Sequence, residues 1–246
     1  MADGIFGSDA EVATLNEQAQ ERASDNEVFY QNENTGAGDL RFRDLNGDGR
    51  ITAADRTFIG NPWPKMTYGL TLNLGWRGFD VAALLQGIQG VDLYNGTRHF
   101  TQFFAGDYNT TEAIFGTSFF NGNGLTDKPR VGFQDGNNFE RDPNSNYTRI
   151  SSYYVENGSY LRLRNLQIGY TLPQSVSGRV KLSNVRVYLQ GQNLLTFTQY
   201  SGMDPEVVGN GFRNGITTNG TTGRGIDTIG AYPRTRFYSV GIDISF

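Results

Sequence analysis

The residues with the clearest chemical spacing are Asp44, Asn46, Asp48, Gly49, Ile51, Thr52 and Asp55, within Asp44-Leu45-Asn46-Gly47-Asp48-Gly49-Arg50-Ile51-Thr52-Ala53-Ala54-Asp55. A calcium loop of about twelve residues places oxygen ligands at alternating positions and glycine at the sharp turn. Asp44, Asn46, Asp48 and Asp55 would ligate through side chains, Arg50 through its backbone carbonyl, and Thr52 directly or through water. Asp55 stands where a longer bidentate Glu is usual, so modest affinity is expected. Three carboxylates this close repel one another unless a cation or solvent compensates. A solvated Asn/Asp/Gly turn is the plainer alternative. A bound calcium here would be structural, clamping a loop, with no catalytic role.

Other chemistry is thinly represented. His99 is the single histidine, so neither a histidine metal site nor a nucleophilic triad can be built around it, and it reads as a loop residue. It precedes an aromatic stretch containing Phe100, Phe103, Phe104, Tyr108, Phe115, Phe119 and Phe120, which serves either to pack the loop internally or to stack on ligands. Asp204 and Glu206 flank Pro205, an arrangement that makes a turn more readily than a glycosidase cleft. Residues 209–225 are rich in Gly, Asn and Thr but follow no strand that would make them a phosphate-binding loop. With no cysteine, disulfides, thiolate metal sites and cysteine nucleophiles are excluded. The net charge of −4 and the lack of a basic stripe argue against nucleic-acid binding. These residues describe no enzyme.

The elements that must position them are strands. Tyr238, Val240, Ile242, Ile244 and Phe246 alternate with Ser239, Gly241, Asp243 and Ser245. Met66, Tyr68, Leu70, Leu72, Leu74 and Trp76 alternate as cleanly with small or polar residues. After the short Arg77-Gly78 turn, Phe79, Val81, Ala83 and Leu85 begin a partner strand. Two more strands are expected near 159–172 and 184–197. The apolar phase of the first changes from Leu161 and Leu163 to Leu166 and Ile168, which calls for a bulge near Asn165. Leu194 and Leu195 blur the end of the second.

Connection lengths alternate between long and short, as they do where one end of a membrane barrel carries tight turns and the other long loops. Trp76, Phe79, Tyr170 and Phe246 fall at the tight-turn ends, where an interfacial aromatic girdle would sit. The expectation is all-β: antiparallel up-and-down strands forming the C-terminal part of a large transmembrane β-barrel, with long extracellular loops. Residues 1–65 would be an extracellular loop region holding the calcium-type loop at 44–55. Residues 66–246 would supply strands at about 66–76, 79–89, 159–172, 184–197 and 233–246, with long loops at 90–158 and 198–232. Five strands cannot close a membrane barrel, whose smallest form has about eight. The rest of the barrel is therefore expected upstream of Met1. So is an export signal, because Met1-Ala2-Asp3-Gly4 opens neither a basic nor an apolar leader segment.

Gly38-Asp39-Leu40-Arg41-Phe42-Arg43-Asp44-Leu45-Asn46-Gly47-Asp48-Gly49, Ile59-Gly60-Asn61-Pro62, Gly158-Ser159-Tyr160-Leu161-Arg162-Leu163-Arg164-Asn165-Leu166, Gln192-Asn193-Leu194 and Asp204-Pro205-Glu206 occur in this order. Together with Tyr232-Pro233 and the terminal Phe246, they resemble the C-terminal region of SusC/RagA-type TonB-dependent transporters over nearly the whole chain. The resemblance implies a plugged barrel of about 22 strands in the outer membrane. It also implies import of glycans or peptides with a SusD-type surface lipoprotein, energised by the TonB system through an N-terminal part that this sequence lacks. The competing expectation is a secreted, calcium-binding β-sandwich that binds carbohydrate. The two differ in where the apolar strand faces go: against a second sheet in the sandwich, against lipid in the barrel.

Overall fold

A computed structural model of the protein describes residues 1–102, 111, 112, 114, 128–131, 133–135, 138–140, 142, 144–147, 149–206, 223–228 and 232–246. The aromatic residues from Phe103 to Phe120 and most of the glycine-rich 209–225 stretch lie outside the described residues. Two compact units are present: Met1–Gly60 with Tyr94–Val155, and Asn61–Leu93 with Glu156–Phe246.

The first unit contains a helix where the sequence suggested only loop. Helix α1 spans Asp9–Ala23. Ser8 caps it by accepting the Glu11 N–H at 3.3 Å, and the Glu11 carboxylate accepts the Gly7 N–H at 2.9 Å. This reciprocal cap satisfies donors that the first helical turn leaves free. The helix buries Val12 and Ala19. Ala2–Ile5 pairs antiparallel with Leu40–Phe42, and Phe6, Leu40, Phe42, Tyr147 and Tyr154 form buried apolar ground in this unit. Within it, Asp39 is fully buried and receives Arg130 through two hydrogen bonds of 2.5 and 2.6 Å, with Asn146 Nδ2 at 2.7 Å. A buried carboxylate needs such partners, because an unpaired charge is too costly to desolvate.

The second unit is an antiparallel sheet of five long strands: β1 (Met66–Trp76), β2 (Phe79–Gln89), β3 (Tyr160–Thr171), β4 (Asn184–Thr198) and β5 (Phe237–Ser245). Their order in the sheet is their order in the chain, an up-and-down arrangement. Arg77 and Gly78, at φ 49° and 87°, make the tight turn between β1 and β2. Two consecutive positive φ values match the right-handed twist of paired strands, and glycine takes the second at no steric cost.

Register carries the alternation seen in sequence across the whole sheet. Leu74, Val81, Ile168, Leu189 and Val240 stand side by side in one row, and Trp76, Phe79, Tyr170, Val187 and Ile242 in another on the same face. Phe79 and Tyr170 pack with ring centroids 4.5 Å apart. Leu74 is 66% exposed and Val240 72%, so no second sheet covers this face among the described residues. That observation removes the β-sandwich expectation. The opposite face runs polar through Asn73, Gln167, Gln190 and Ser239.

The phase change in β3 is a bulge. Asn165 pairs with Leu84 and Gln192, but the next pairings join Leu163 to Leu85 and Leu195. Arg164 in β3 and Asn193-Leu194 in β4 are the extra residues, with Asn193 at φ 52°. The slip returns Leu163 and Leu195 to the apolar face. No helix among the described residues is long and apolar enough to cross a membrane, which says nothing of crossing by strands.

Candidate functional site

The polar face of the sheet holds two ion-pair networks. At one, the side chain of Arg162 on β3 is 2% exposed and fully engaged. Its Nη2 donates to Asp204 Oδ1 at 2.6 Å, its Nη1 to Glu206 Oε2 at 3.0 Å, and its Nε to Thr196 Oγ1 on β4 at 2.9 Å. The bulge residue Arg164 adds 2.5 Å to Glu206 Oε1 and 2.9 Å to Gln86 Oε1 on β2. Asp204 also accepts the backbone N–H groups of Glu206 and Arg234, both at 2.9 Å. Burial pushes its pKa up, but those N–H groups and the Arg162 guanidinium outweigh it and hold the carboxyl below the usual value. The Asp-Pro-Glu turn is thereby clamped to two arginines of one strand. With both carboxylates taken up by arginines and Asp204 held below its usual value, a glycosidase pair is not what this geometry makes.

The second network joins three strands. Arg186 on β4 grips Asp80 on β2 through hydrogen bonds of 2.9 and 2.5 Å, and reaches Asp243 on β5 at 3.0 Å. Gly169 on the intervening β3 makes room for it, since an added Cβ would fall 2.5 Å from Asp80 Oδ1. A tyrosine, Tyr188, similarly covers Gly241 on the neighbouring strand.

Sequence alone did not reveal these partners. Arg162 and Asp204 are far apart in the chain, and only the two arginines placed inside a leucine-rich strand hinted at a buried acidic partner.

The Asp44–Asp55 loop is closed by backbone donors. Asp44 accepts the N–H groups of Gly47 and Gly49, both at 2.7 Å, and these glycines take φ of 80° and 86°. Asp48 accepts from Arg50 N and Asn46 Nδ2, both at 3.0 Å. Asp55 accepts from Leu45 N at 2.8 Å and Thr52 N at 2.7 Å. Burial raises its pKa, but the N–H groups of Thr52, Leu45 and Asn46 more than reverse this and hold it low. The loop thus has the turned backbone of the spacing, and Asp55 brings its two ends together. Arg50 and Thr52 lie in the same loop. Among the described residues, no three acidic, histidine or cysteine side chains converge as a metal cluster.

His99 lies on a short helix, Gly96–Thr101, with Tyr94 Oη 3.3 Å from its Nδ1 and the Tyr154 ring 5.0 Å away. Burial lowers its pKa, so it is neutral at pH 7.

A sheet with one apolar, uncovered face and one polar, ion-paired face is the strand arrangement of a membrane barrel wall. No protein-family model matches the chain. The TonB-dependent receptor P3 of Formosa agariphila is 38% identical over 205 residues, 83% of this chain and 19% of that receptor. The chain belongs to the SusC/RagA-type TonB-dependent transporters. The TonB-dependent receptor SusC of Bacteroides thetaiotaomicron is 25% identical over 83% of this chain and 17% of its own. A structure of the RagAB peptide transporter superposes with TM-score 0.61 at 28% identity, covering 80% of this chain and 19% of that one. The RagAB peptide importer in its closed-closed state gives 0.62 at 26% identity over 85% of this chain and 21% of that one. This SusC/RagA-type chain therefore spans about a fifth of the length of the curated relatives it matches. These relatives are receptors and transporters, not enzymes.

Proposed function

We propose that this chain forms part of the barrel wall of an outer-membrane importer that takes up glycans or peptides. A SusD-type surface lipoprotein delivers the substrate, and the TonB system drives uptake through other parts of the full-length protein. The observation that carries this reading is the pair of continuous apolar rows on the uncovered face, set against ion pairs on the other face. Similarity to the RagAB peptide transporter favours peptides, and glycans remain the other class that the family resemblance implies. In the native host, fractionation should find the full-length protein in the outer membrane together with a lipoprotein. A strain deleted for the gene should lose growth on one class, peptide or glycan, supplied as limiting nutrient. Recovery of the protein from the soluble fraction overturns the reading.

The same importer takes a structural calcium at Asp44, Asn46, Asp48, the Arg50 carbonyl, Thr52 and Asp55. The ligand spacing and the positive-φ glycines Gly47 and Gly49 support this. Binding has to draw the carboxylates away from some of their backbone donors, so affinity should be weak, in the range of about 10⁻⁴ to 10⁻³ M of extracellular modules. Calorimetric titration of the full-length protein in detergent should show calcium uptake that Asp44→Ala and Asp48→Ala abolish. The absence of heat at several times that concentration leaves the loop a polar turn.

A further inference from the structure

The first unit holds a cavity of about 740 Å³ lined by Phe42, Arg43, Arg56, Ile59, Arg149 and Ser151, among others. Among the described residues, two of its three arginines have no carboxylate within ion-pair distance. Arg149 is half-buried with its guanidinium 4.7 Å over the Phe42 ring, and no carboxylate lies within ion-pair distance of it among the described residues. Arg56 has none either, and Arg43 has only Asp3 at 3.6 Å. Burial pulls the Arg149 pKa down and nearby Asp142 offsets part of this, while Arg56 acts in the same direction as burial. Two like charges therefore face one space in which the lining carboxylate, among the described residues, is that of Asp55. Its oxygens are engaged by the N–H groups of Leu45 and Thr52. Ser151 also lines the cavity; it is 3% exposed, and its hydroxyl is buried within the protein with no hydrogen-bond partner among the described residues. Buried hydroxyls are almost always satisfied, by protein or by something bound.

We propose that this cavity binds an anionic group, a carboxylate or sulfate, carried on a sugar or peptide substrate. The guanidinium fork is the side chain best matched to such planar or tetrahedral oxyanions, donating to two oxygens at once. Ile51, Ile59 and Ile150 offer an apolar wall to the uncharged body of the ligand. The word substrate rests on the importer reading; the binding site itself does not.

The test is titration of the full-length protein in detergent with sodium glucuronate, inorganic sulfate and neutral glucose. Glucuronate should bind and glucose should not. Arg149→Gln and Arg56→Gln should each weaken glucuronate about tenfold or more, the size of one lost charge-assisted hydrogen bond. Arg56 is exposed, so its variant should keep the wild-type melting temperature and decides the matter if Arg149→Gln fails to fold. Sulfate competing with glucuronate supports a site that reads the oxyanion; sulfate without effect restricts it to carboxylates. Equal binding of glucose and glucuronate, no binding at tens of millimolar, or binding indifferent to Arg56→Gln overturns the proposal. Failure of the importer reading would show in fractionation and leave this titration unchanged.

Discussion

Arg162 carries the tightest local commitment in the sheet, because two carboxylates and a threonine hydroxyl depend on one buried guanidinium. Removing one partner of a buried pair costs about 3–5 kcal/mol, mostly from the charge left behind. Arg162→Met keeps much of the stem and strips the charge, so Asp204 would be left to its backbone donors and Glu206 to Arg164 and Arg234. The expected result is a loss near the lower end of that range in unfolding experiments on the full-length protein in detergent, with residues 199–206 becoming protease-sensitive. A pH series adds a second readout. Asp204 has a folded pKa below its usual 3.8. A depressed carboxylate contributes stability above its unfolded pKa and loses it as pH falls through the folded value. The penalty of Arg162→Met should therefore be constant from neutral pH down to about 4 and shrink only below that. A penalty that changes around pH 6 would place the clamp elsewhere.

At the level of elements, what the sequence made legible was periodicity. The alternation from Tyr238 to Ile244 is the exposed apolar face of β5, and the phase slip near Asn165 is the β3 bulge, because a period of two leaves a one-residue insertion visible as a change of face. Other features were hidden. Helix α1 has few apolar residues to mark a stripe, and its readable sign was the local Ser8-x-x-Glu11 cap. The Arg162–Asp204 clamp depends on contacts 42 residues apart, which no local pattern encodes. The acidic loop was legible as a spacing, whereas its closure by backbone N–H groups was not. The two-faced strand makes its own prediction. Val240→Arg puts a cation in the apolar row and should cost about 2–4 kcal/mol if that row meets lipid near the bilayer midplane. Ser239→Arg, one residue away on the face of Gln190 and Gln167, should be far milder. Outer-membrane level and denaturant midpoint of the two full-length variants would show the asymmetry, and equal damage would mean that the faces are misassigned.

At the scale of the whole molecule, the sheet lacks partners in two directions. Among the described residues β1 pairs only with β2 and β5 only with β4, so both outer strands present rows of backbone N–H and C=O groups along one edge. One full face carries exposed Leu70, Leu72, Leu74, Leu189, Val240 and Ile242. Open edges invite pairing with other chains, and apolar patches larger than a few hundred Å² promote association. A bilayer covers the apolar face, but the open edges are not tolerable there unless further strands continue the sheet, since unpaired backbone groups in hydrocarbon each cost several kcal/mol. The relatives are about five times longer than the matched region, which gives ample chain for those strands. It follows that residues 1–246 expressed alone should not behave as a soluble domain. In aqueous buffer they should elute as aggregates on size-exclusion chromatography and bind apolar dyes. Adding detergent should shrink the particles by covering the apolar face, yet leave them polydisperse, because detergent does not satisfy the edges of β1 and β5. A monodisperse monomer that melts cooperatively without detergent would mean that the apolar rows are covered within the chain itself, and the barrel-wall reading would fail.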